Sequence, residues 1–334
     1  MAQIDFVHDP AQHSERVKIP IIDLGLYESP DETSRLEQVA NIRRACREYG
    51  FFHLRNHGVP LEMQDEIVAM TKQLFNLPQQ IKDDMSLALS QRSRGYSPIG
   101  NQQLDPEGLP DLKESYYITK DFPGSGNMYP PSENLPAFRK TADKYYDAMI
   151  QLSQRLFRLL AASLPVDPDY FDGYSGVNRS AKSWTGSTLR LVHYPQRSQE
   201  VSERQMACGS HTDFGSITLL LQDAISGLEI KPPKQSDWVA VPPIRDVYVV
   251  NIGDLMQKWT NGEYVSAVHR VSHDQNVDRY SVPFFFNGNY DYVIKPLENG
   301  RQVGSKSEAN YESFTVGGHI LSRLQQTHVE GLAH

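Results

Sequence analysis

The sequence is poor in several features that mark well-known functional classes. Its 334 residues include only two cysteines, Cys46 and Cys208, which argues against a disulfide framework and favours a reducing compartment. The formal net charge is −8, whereas nucleic acid or an anionic membrane would favour a basic surface. No run approaches the roughly 18 to 20 apolar residues of a membrane span, and the opening "MAQIDFVHDPAQHSERVK" lacks the apolar centre of a signal peptide. We therefore expect a cytoplasmic protein without a nucleic-acid or membrane partner.

Three motifs of common enzyme folds are also missing. The chain has no G-x-G-x-x-G joining a strand to a helix, no P-loop and no G-x-S-x-G elbow. These absences argue against a Rossmann fold, a P-loop NTPase and an α/β-hydrolase.

Helical patterns dominate the first half of the chain. Apolar residues at helical spacing predict helices over 29–50, 61–78 and about 136–164. Ser29 is the predicted N-cap of the first helix, and Gly50 its predicted stop. The segment 91–133, rich in Gly, Pro, Asn and Ser, reads as a long irregular connection of the kind that often carries function.

Short β-rich runs dominate the second half. They are "STLRLVHYP", "GSITLLLQD", "GLEIKP", "WVAVPP", "VYVVNIGD", "EYVSAVHRV" and "RYSVPFFFNG". Their spacing predicts a sandwich, jelly roll or barrel over roughly 185–290. We expect one compact α+β unit with a mainly β core, in which 17–130 forms an N-terminal region of helices and strands and 291–334 an extension that could act as a lid.

The short motif "HTD" carries the first chemical signal. Alternate residues of a strand point to the same face, so His211 and Asp213 can project together. Such a pair can be a hydrogen-bonded core couple, a general base with its orienting partner, or two metal ligands. A third ligand would come from His193, His269 or His273. With His269, in the later strand "EYVSAVHRV", the set would be two imidazoles and a carboxylate, the facial triad of non-haem Fe(II) oxygenases.

A second pair follows in "RYSVPFFF". Arg279 and Ser281 share one face of an apolar strand, where an arginine is costly unless it binds an anion. A guanidinium beside a hydroxyl is suited to holding a carboxylate. Together the two pairs suggest a small acid that chelates a metal at one end and is held at the other.

These motifs occur in a familiar order. The sequence resembles the isopenicillin-N-synthase-like branch of the Fe(II)/2-oxoglutarate-dependent oxygenases over about 17–290. The matching stretches are "IPIIDL", "GFFHLRNHGVP", "RGY", "LRLVHYP", "HTD", "GDLMQKWTNGEYVSAVHRV" and "RYS".

The resemblance implies a fold, a reaction and a set of site residues. The fold would be a double-stranded β-helix, or jelly roll, with the N-terminal helices outside it. His211, Asp213 and His269 match the iron ligands of the family. Arg279, Ser281 and Tyr194 match the residues that bind the distal carboxylate of 2-oxoglutarate. The implied cofactors are Fe(II), 2-oxoglutarate and dioxygen, with ascorbate as an optional reductant.

The expected reaction couples oxidative decarboxylation of 2-oxoglutarate to hydroxylation, desaturation, ring closure or rearrangement of a small metabolite, in secondary metabolism. Arg190, Phe214, Tyr96 and Asn251 are the expected substrate contacts, with Arg190 suited to an acidic or phenolate-like group. Two alternatives stay open: an iron oxidase of the same fold that does not use 2-oxoglutarate, and a non-catalytic small-molecule binder. We expect a monomer or a weak homo-oligomer.

Overall fold

Two β-sheets of unequal size form the centre of the molecule. A computed structural model of the chain describes residues 18–90, 94–121, 125–176, 186–196, 202, 205–273, 276–298 and 311–325. The predicted extension at 291–334 therefore lies partly outside the described residues. Among the helices of the described segments, none has the length and apolar character needed to cross a membrane.

The larger sheet has eight strands in the order β1-β2-β10-β7-β12-β5-β4-β3. Its strands are β1 Ile21–Asp23, β2 Phe51–Arg55, β3 Gly95–Ser97, β4 Glu114–Ile118, β5 Thr188–Tyr194, β7 Ile217–Gln222, β10 Tyr248–Ile252 and β12 Arg279–Phe286. Neighbouring strands run antiparallel, except that β1 and β2 are parallel.

The smaller sheet has the order β6-β11-β8-β9. It comprises β6 Cys208–His211, β8 Leu228–Lys231, β9 Val239–Ala240 and β11 Val268–Val271. A third, two-stranded sheet pairs β13 Val293–Ile294 with β14 Phe314–Thr315. Side chains from the two main sheets line one common cavity, so the sheets face each other as in the expected jelly roll.

Eight α-helices and one 3-10 turn lie in the described residues. They are α1 Leu24–Tyr27, α2 Glu32–Glu48, α3 Leu61–Phe75, α4 Gln79–Asp83, α5 Phe138–Ala162, α6 Asp172–Ser175, α7 Asp254–Trp259 and α8 Val316–Gln325, with the 3-10 turn at Leu87–Leu89. Helices α3 and α5 pack on β12 of the larger sheet, and α3 also packs on β5. The apolar stripe of α5 therefore buries its face on the β core, as its periodicity predicts.

The three long predicted helices are present, and their ends differ from the prediction by a few residues. Helix α2 is capped by Asp31, whose carboxylate accepts from the Ser34 N–H, so the predicted cap at Ser29 is wrong. Gly50 does stop this helix. It adopts φ +67°, and a Cβ there would lie 2.3 Å from the Val265 carbonyl oxygen.

The larger sheet also includes strands from outside 185–290, the range expected for the jelly-roll core. Strands β1 to β4, all from before residue 119, belong to the larger sheet. Two of them, β3 and β4, lie in the segment 91–133 that the sequence suggested was irregular. That prediction was wrong because strands of three to five residues among Gly and Pro leave little periodic signal, while their stability comes from pairing with β5.

Candidate metal centre

Three side chains converge between the two main sheets. His211 ends β6, Asp213 follows it, and His269 lies on β11 directly opposite His211. Nε2 of each histidine lies 3.8 Å from Asp213 Oδ1, and one ligand atom from each of the three side chains lies within 4.8 Å of the other two. In the described part of the chain, this is the one such cluster of potential metal ligands.

Backbone contacts orient both imidazoles. Nδ1 of His211 lies 2.8 Å from the Gly209 carbonyl oxygen, and Nδ1 of His269 lies 3.2 Å from that of Ala267. A carbonyl oxygen only accepts, so each Nδ1 carries the proton and each Nε2 presents a lone pair to the shared centre.

The carboxylate of Asp213 is oriented by two neighbouring strands. The Thr218 hydroxyl donates to Asp213 Oδ2 at 2.6 Å, and the Asn251 amide donates to the same oxygen at 2.7 Å. Thr218 and Asn251 are register partners on β7 and β10. With Oδ2 held in this way, Oδ1 is the oxygen that faces the two Nε2 atoms.

The site favours neutral imidazoles beside an ionised carboxylate. Burial lowers the pKa of His211 and of His269 below the usual range. Burial by itself would raise the pKa of Asp213, but the two imidazoles and the two hydrogen bonds to Oδ2 outweigh it and lower the pKa. The arrangement is therefore a preformed donor set for a divalent cation.

An inner cavity of about 60 Å³ extends from these residues to Arg279. Tyr194, Ser281 and Arg279 line it, and they meet because Arg279 pairs with Tyr194 across β12 and β5. The Arg279 guanidinium lies 4.8 Å from the centre of the Tyr194 ring. The predicted ligand triad and carboxylate clamp thus share one chamber.

The Arg279 side chain is fully buried and incompletely satisfied. Its Nε donates to the Ile225 carbonyl oxygen at 3.2 Å, and its Nη2 donates to Gln222 Oε1 at 2.9 Å. Its Nη1 has no hydrogen-bond partner among the described residues, and the nearby Asp223 carboxylate accepts from the main-chain N–H groups of Ile225 and Tyr280 instead. The adjacent Asp278 is turned away and pairs with His193 at 3.3 Å. A buried guanidinium with an unused donor is suited to an incoming anion.

A second, larger cavity of about 180 Å³ lies outside the first. Arg190, His211, Asp213 and Phe285 line both cavities and mark their boundary. The remaining wall of the outer cavity combines apolar and aromatic side chains with polar ones. The apolar and aromatic residues are Leu87, Leu104, Tyr117, Phe214, Tyr290 and Ile320, and the polar residues are Arg94, Gln102, Thr188, Thr212 and Asn287. Arg190 and Phe214 therefore lie where the sequence predicted substrate contacts.

Two of the expected substrate contacts, Tyr96 and Asn251, form hydrogen bonds to carboxylates of the protein. Tyr96 lies on β3, is 2% exposed, donates its hydroxyl to Glu114 Oε2 at 2.7 Å and lines neither of the two cavities. Asn251 lines the inner cavity, but its amide is engaged by Asp213. Its place as a neighbour of the triad was recognisable only from the register of β7 and β10.

The two rival histidine ligands lie outside the cluster. His193 Nδ1 bonds to Glu114 Oε1 at 2.7 Å, and His273 Nε2 bonds to the Val277 carbonyl oxygen at 2.7 Å. Cys208 lies near the site, with Sγ 3.9 Å from His211 Nδ1, the nitrogen that faces away from the centre.

Similarity to known proteins agrees with this geometry. Residues 19–138 match the family model for the non-haem dioxygenase in morphine synthesis N-terminal region, and residues 185–288 match the model for the 2OG-Fe(II) oxygenase superfamily. The 2-oxoglutarate-dependent dioxygenase citB of Monascus ruber is 37% identical over 93% of this chain and 95% of its own length. The chain belongs to the 2OG-Fe(II) oxygenase superfamily. It is a non-haem iron enzyme that couples oxidative decarboxylation of 2-oxoglutarate to oxidation of a small molecule.

Other members of the superfamily extend the comparison. Clavatol oxidase claD of Penicillium crustosum is 34% identical over 92% of this chain and 95% of its own length. The crystal structure of a full-length Neurospora crassa protein in complex with alpha-KG superposes with a TM-score of 0.83 at 32% identity, covering 94% of this chain and 98% of that one. The same Neurospora protein has also been crystallised with alpha-KG and thymine.

The residues present fit the cofactors of the superfamily. Two neutral imidazoles and one carboxylate directed at one point are the donor set of non-haem Fe(II) oxygenases. The unused Nη1 of buried Arg279 fits a carboxylate at the far end of the same chamber. The inner cavity is the smaller of the two, which suits a compact co-substrate and leaves the outer cavity for the molecule that is oxidised.

Proposed function

We propose that His211, Asp213 and His269 bind the ferrous ion of this dioxygenase. We propose further that Arg279, Ser281 and Tyr194 bind the distal carboxylate of 2-oxoglutarate. The observation that carries both proposals is a single chamber with three convergent ligand atoms at one end and a buried, incompletely satisfied guanidinium at the other.

The protein's part in the reaction is positioning and protection from water. A bound ferrous ion would let dioxygen, the oxidant, take two electrons from 2-oxoglutarate, which becomes succinate and carbon dioxide, and two electrons from the substrate. Asn251 and Thr218 orient the carboxylate of Asp213. Arg279 lies at the opposite end of the chamber, where it would bind the far end of the co-substrate. The aromatic wall of the outer cavity holds the substrate's C–H bond beside the metal-facing atoms and excludes water.

An anaerobic titration tests these assignments. Metal-free protein receives Fe(II) and then 2-oxoglutarate, while the weak visible charge-transfer band of the chelate is followed. We expect His211→Ala to abolish the band and Arg279→Leu to require much more 2-oxoglutarate. His273→Ala and Arg270→Leu are the matched controls and should behave as wild type. A normal band in His211→Ala, or loss of the band in His273→Ala, would contradict the ligand set.

We propose that the substrate is a small acidic metabolite held by Arg190. This guanidinium is 9% exposed, and its Nη2 donates to the neutral oxygens of Gln102 and Ser115, each at 2.8 Å. Its Nε has no hydrogen-bond partner among the described residues. Because these partners are uncharged, Arg190 retains a positive charge that a carboxylate, phenolate or other acidic group of the substrate would balance.

A pair of isosteric probes tests this assignment. Benzoate and benzamide are added to protein loaded with Fe(II) and 2-oxoglutarate, and the shift of the chelate band is measured. We expect benzoate to shift the chelate band at a lower concentration than benzamide. In the Arg190→Met variant the two probes should shift the band at similar concentrations. Equal action of the two probes on the wild-type protein would contradict an acidic substrate.

The wider biological setting is also a proposal. The fungal relatives support a tailoring role in secondary metabolism, with hydroxylation, desaturation, ring closure or rearrangement as the outcome. The two free, buried cysteines support a reducing compartment such as the cytoplasm, and the acidic charge gives no reason for a nucleic-acid or membrane partner. We propose a monomer or weak homo-oligomer, to be checked by light scattering.

The segment around α8 is proposed to cover the mouth of the outer cavity. Ile320 lines that cavity, and Arg323 pairs with Asp254 at 3.0 Å while its guanidinium lies 4.8 Å from the Phe214 ring centre. Helix α8 thus contacts the loop that carries Asp213. Deletion of residues 316–334 tests the idea, and unchanged binding of a substrate would contradict it.

A further inference from the structure

Two adjacent residues at the start of β4 enter different polar environments. Glu114 accepts hydrogen bonds from Lys82 Nζ at 2.9 Å and from Tyr96 Oη at 2.7 Å, and its Oε1 bonds to His193. Lys113 points the other way and lines the inner cavity, where its side chain is 2% exposed. This opposition follows from the alternation of side chains along an extended chain.

The register of the larger sheet places Lys113 level with the carboxylate clamp. Glu114 pairs with His193, so the preceding Lys113 comes opposite Tyr194, and Tyr194 is in turn the register partner of Arg279. Lys113 immediately precedes β4, Tyr194 ends β5 and Arg279 begins β12, so the three residues form a row at these strand ends, and all three line the same cavity. The row therefore presents an ammonium, a phenol and a guanidinium to one volume.

The protein satisfies the Lys113 ammonium only in part. Its Nζ forms an ion pair with Asp111 and lies 3.2 Å from Cys208 Sγ, a weak acceptor. Within the described residues these two groups are the hydrogen-bond acceptors of Nζ, although an ammonium has three N–H donors. Burial disfavours the charged form, but the neighbouring Cys208 sulfur and Asp111 carboxylate outweigh it and raise the pKa of Lys113.

Asp111 is itself held in place by hydrogen bonds. Its Oδ1 accepts the Gly209 N–H at 2.8 Å, and its main chain bonds to Gln102 and Gly100. The carboxylate therefore holds the lysine at the cavity wall without closing the cavity. A buried ion pair of this kind adds little stability compared with an apolar pair of similar size. Stability therefore does not explain a lysine at this position, whereas binding of an anionic ligand does.

We propose that Lys113 is a further 2-oxoglutarate-binding residue, which donates to the distal carboxylate beside Arg279 and Tyr194. The inference rests on the proposed binding of 2-oxoglutarate in the inner cavity. Its consequence is selectivity: a second cation at the far end favours 2-oxo acids with two carboxylates over those with one. The sequence offered no signal for this residue, because it lies outside the motifs and is brought in by sheet pairing.

The test compares two ligands of equal chain length. 2-Oxoglutarate and 2-oxovalerate, which has a methyl group in place of the distal carboxylate, are titrated anaerobically into iron-loaded protein. The variants are Lys113→Met and the double variant Asp111→Asn/Lys113→Met, which avoids leaving a buried carboxylate without its partner. Lys120→Met, which removes a half-exposed lysine paired with Asp147, is the matched control. Iron affinity and thermal stability are measured in parallel.

We expect both Lys113 variants to bind 2-oxoglutarate about 10- to 150-fold more weakly, the range for hydrogen bonds to charged groups. Their affinity for 2-oxovalerate and for iron should stay within about twofold of wild type. If Lys113 had only a structural role, its replacement would change the affinities for 2-oxoglutarate and 2-oxovalerate equally. That result would overturn the proposal, as would unchanged 2-oxoglutarate affinity in the double variant. Absence of any chelate band in the wild-type protein would instead overturn the proposed function itself.

Discussion

Replacement of Asn251 by alanine should weaken iron binding without touching an iron ligand. In the structure Asn251 and Thr218 donate to the same oxygen of Asp213, at 2.7 and 2.6 Å, and thereby leave the other oxygen to face the two imidazoles. Asp213 is only 6% exposed, so water cannot freely replace a lost donor.

The size of the effect follows from the charge of the acceptor. A hydrogen bond to an ionised group contributes about 1.5–3 kcal/mol, which corresponds to roughly 10- to 150-fold in affinity. Loss of a residue that orients a metal ligand typically costs about 10- to 100-fold in metal affinity. We therefore expect Asn251→Ala to raise the dissociation constant for Fe(II) by about one to two orders of magnitude.

The assay is an anaerobic competition titration of Fe(II) against a chromophoric chelator. Thr218→Val should give a loss of similar size, since its hydroxyl donates to the same oxygen. Thr71→Val is the matched control, because it also removes a fully buried hydroxyl, but one bonded to the Ile67 carbonyl within α3. Iron affinity within about twofold of wild type in a folded Asn251→Ala variant would refute the reasoning.

Three further predictions concern stability and the C-terminal helix. Burial lowers the pKa of His53 from its usual 6.5 to about 4, so only the unfolded chain takes up this proton between those values. The unfolding free energy should fall by up to about 1.4 kcal/mol per pH unit below pH 6.5, and by less in His53→Asn; equal slopes in denaturant titrations would contradict this. Arg323→Ala removes the contacts to Asp254 and Phe214 and should speed amide hydrogen exchange in α8, with iron affinity unchanged; unaltered exchange would argue against docking through this residue. Trp259→Ala empties a fully buried site among four aromatic rings and should lower the unfolding free energy by about 3–5 kcal/mol, whereas a loss below about 1 kcal/mol would mean that the site collapses.

The residues that could be found from the sequence are those whose spacing matches a local period. His211 and Asp213 are two apart, as are Arg279 and Ser281; Arg279 and Ser281 lie on β12, whereas His211 is the last residue of β6 and Asp213 lies just beyond it. The long helices have a clear apolar period and were found with small errors at their ends. In these cases local geometry alone carries the information.

The residues that were missed depend on pairing between distant parts of the chain. Asn251, expected as a substrate contact, instead donates to Asp213 because β10 lies beside β7, and Lys113 is brought to the cavity of Arg279 by two strand pairings. The position of Tyr96 also depends on strand pairing, since β3 places its hydroxyl against Glu114 and outside both cavities. Register between strands is set by the whole sheet, so no local pattern reports it.

A metal ion bound by the triad would also join two strands of the smaller sheet. Strand β6 lies at the edge of the smaller sheet, and in the described part of the chain its His211 and Cys208 are paired with His269 and Val271 of β11. An ion bound to both histidines would act as a cross-link between segments that are far apart in the sequence. Chelators during purification would then do more than inactivate the enzyme. They would loosen an edge strand that can pair with other chains, so metal loss and aggregation should appear together in ageing preparations.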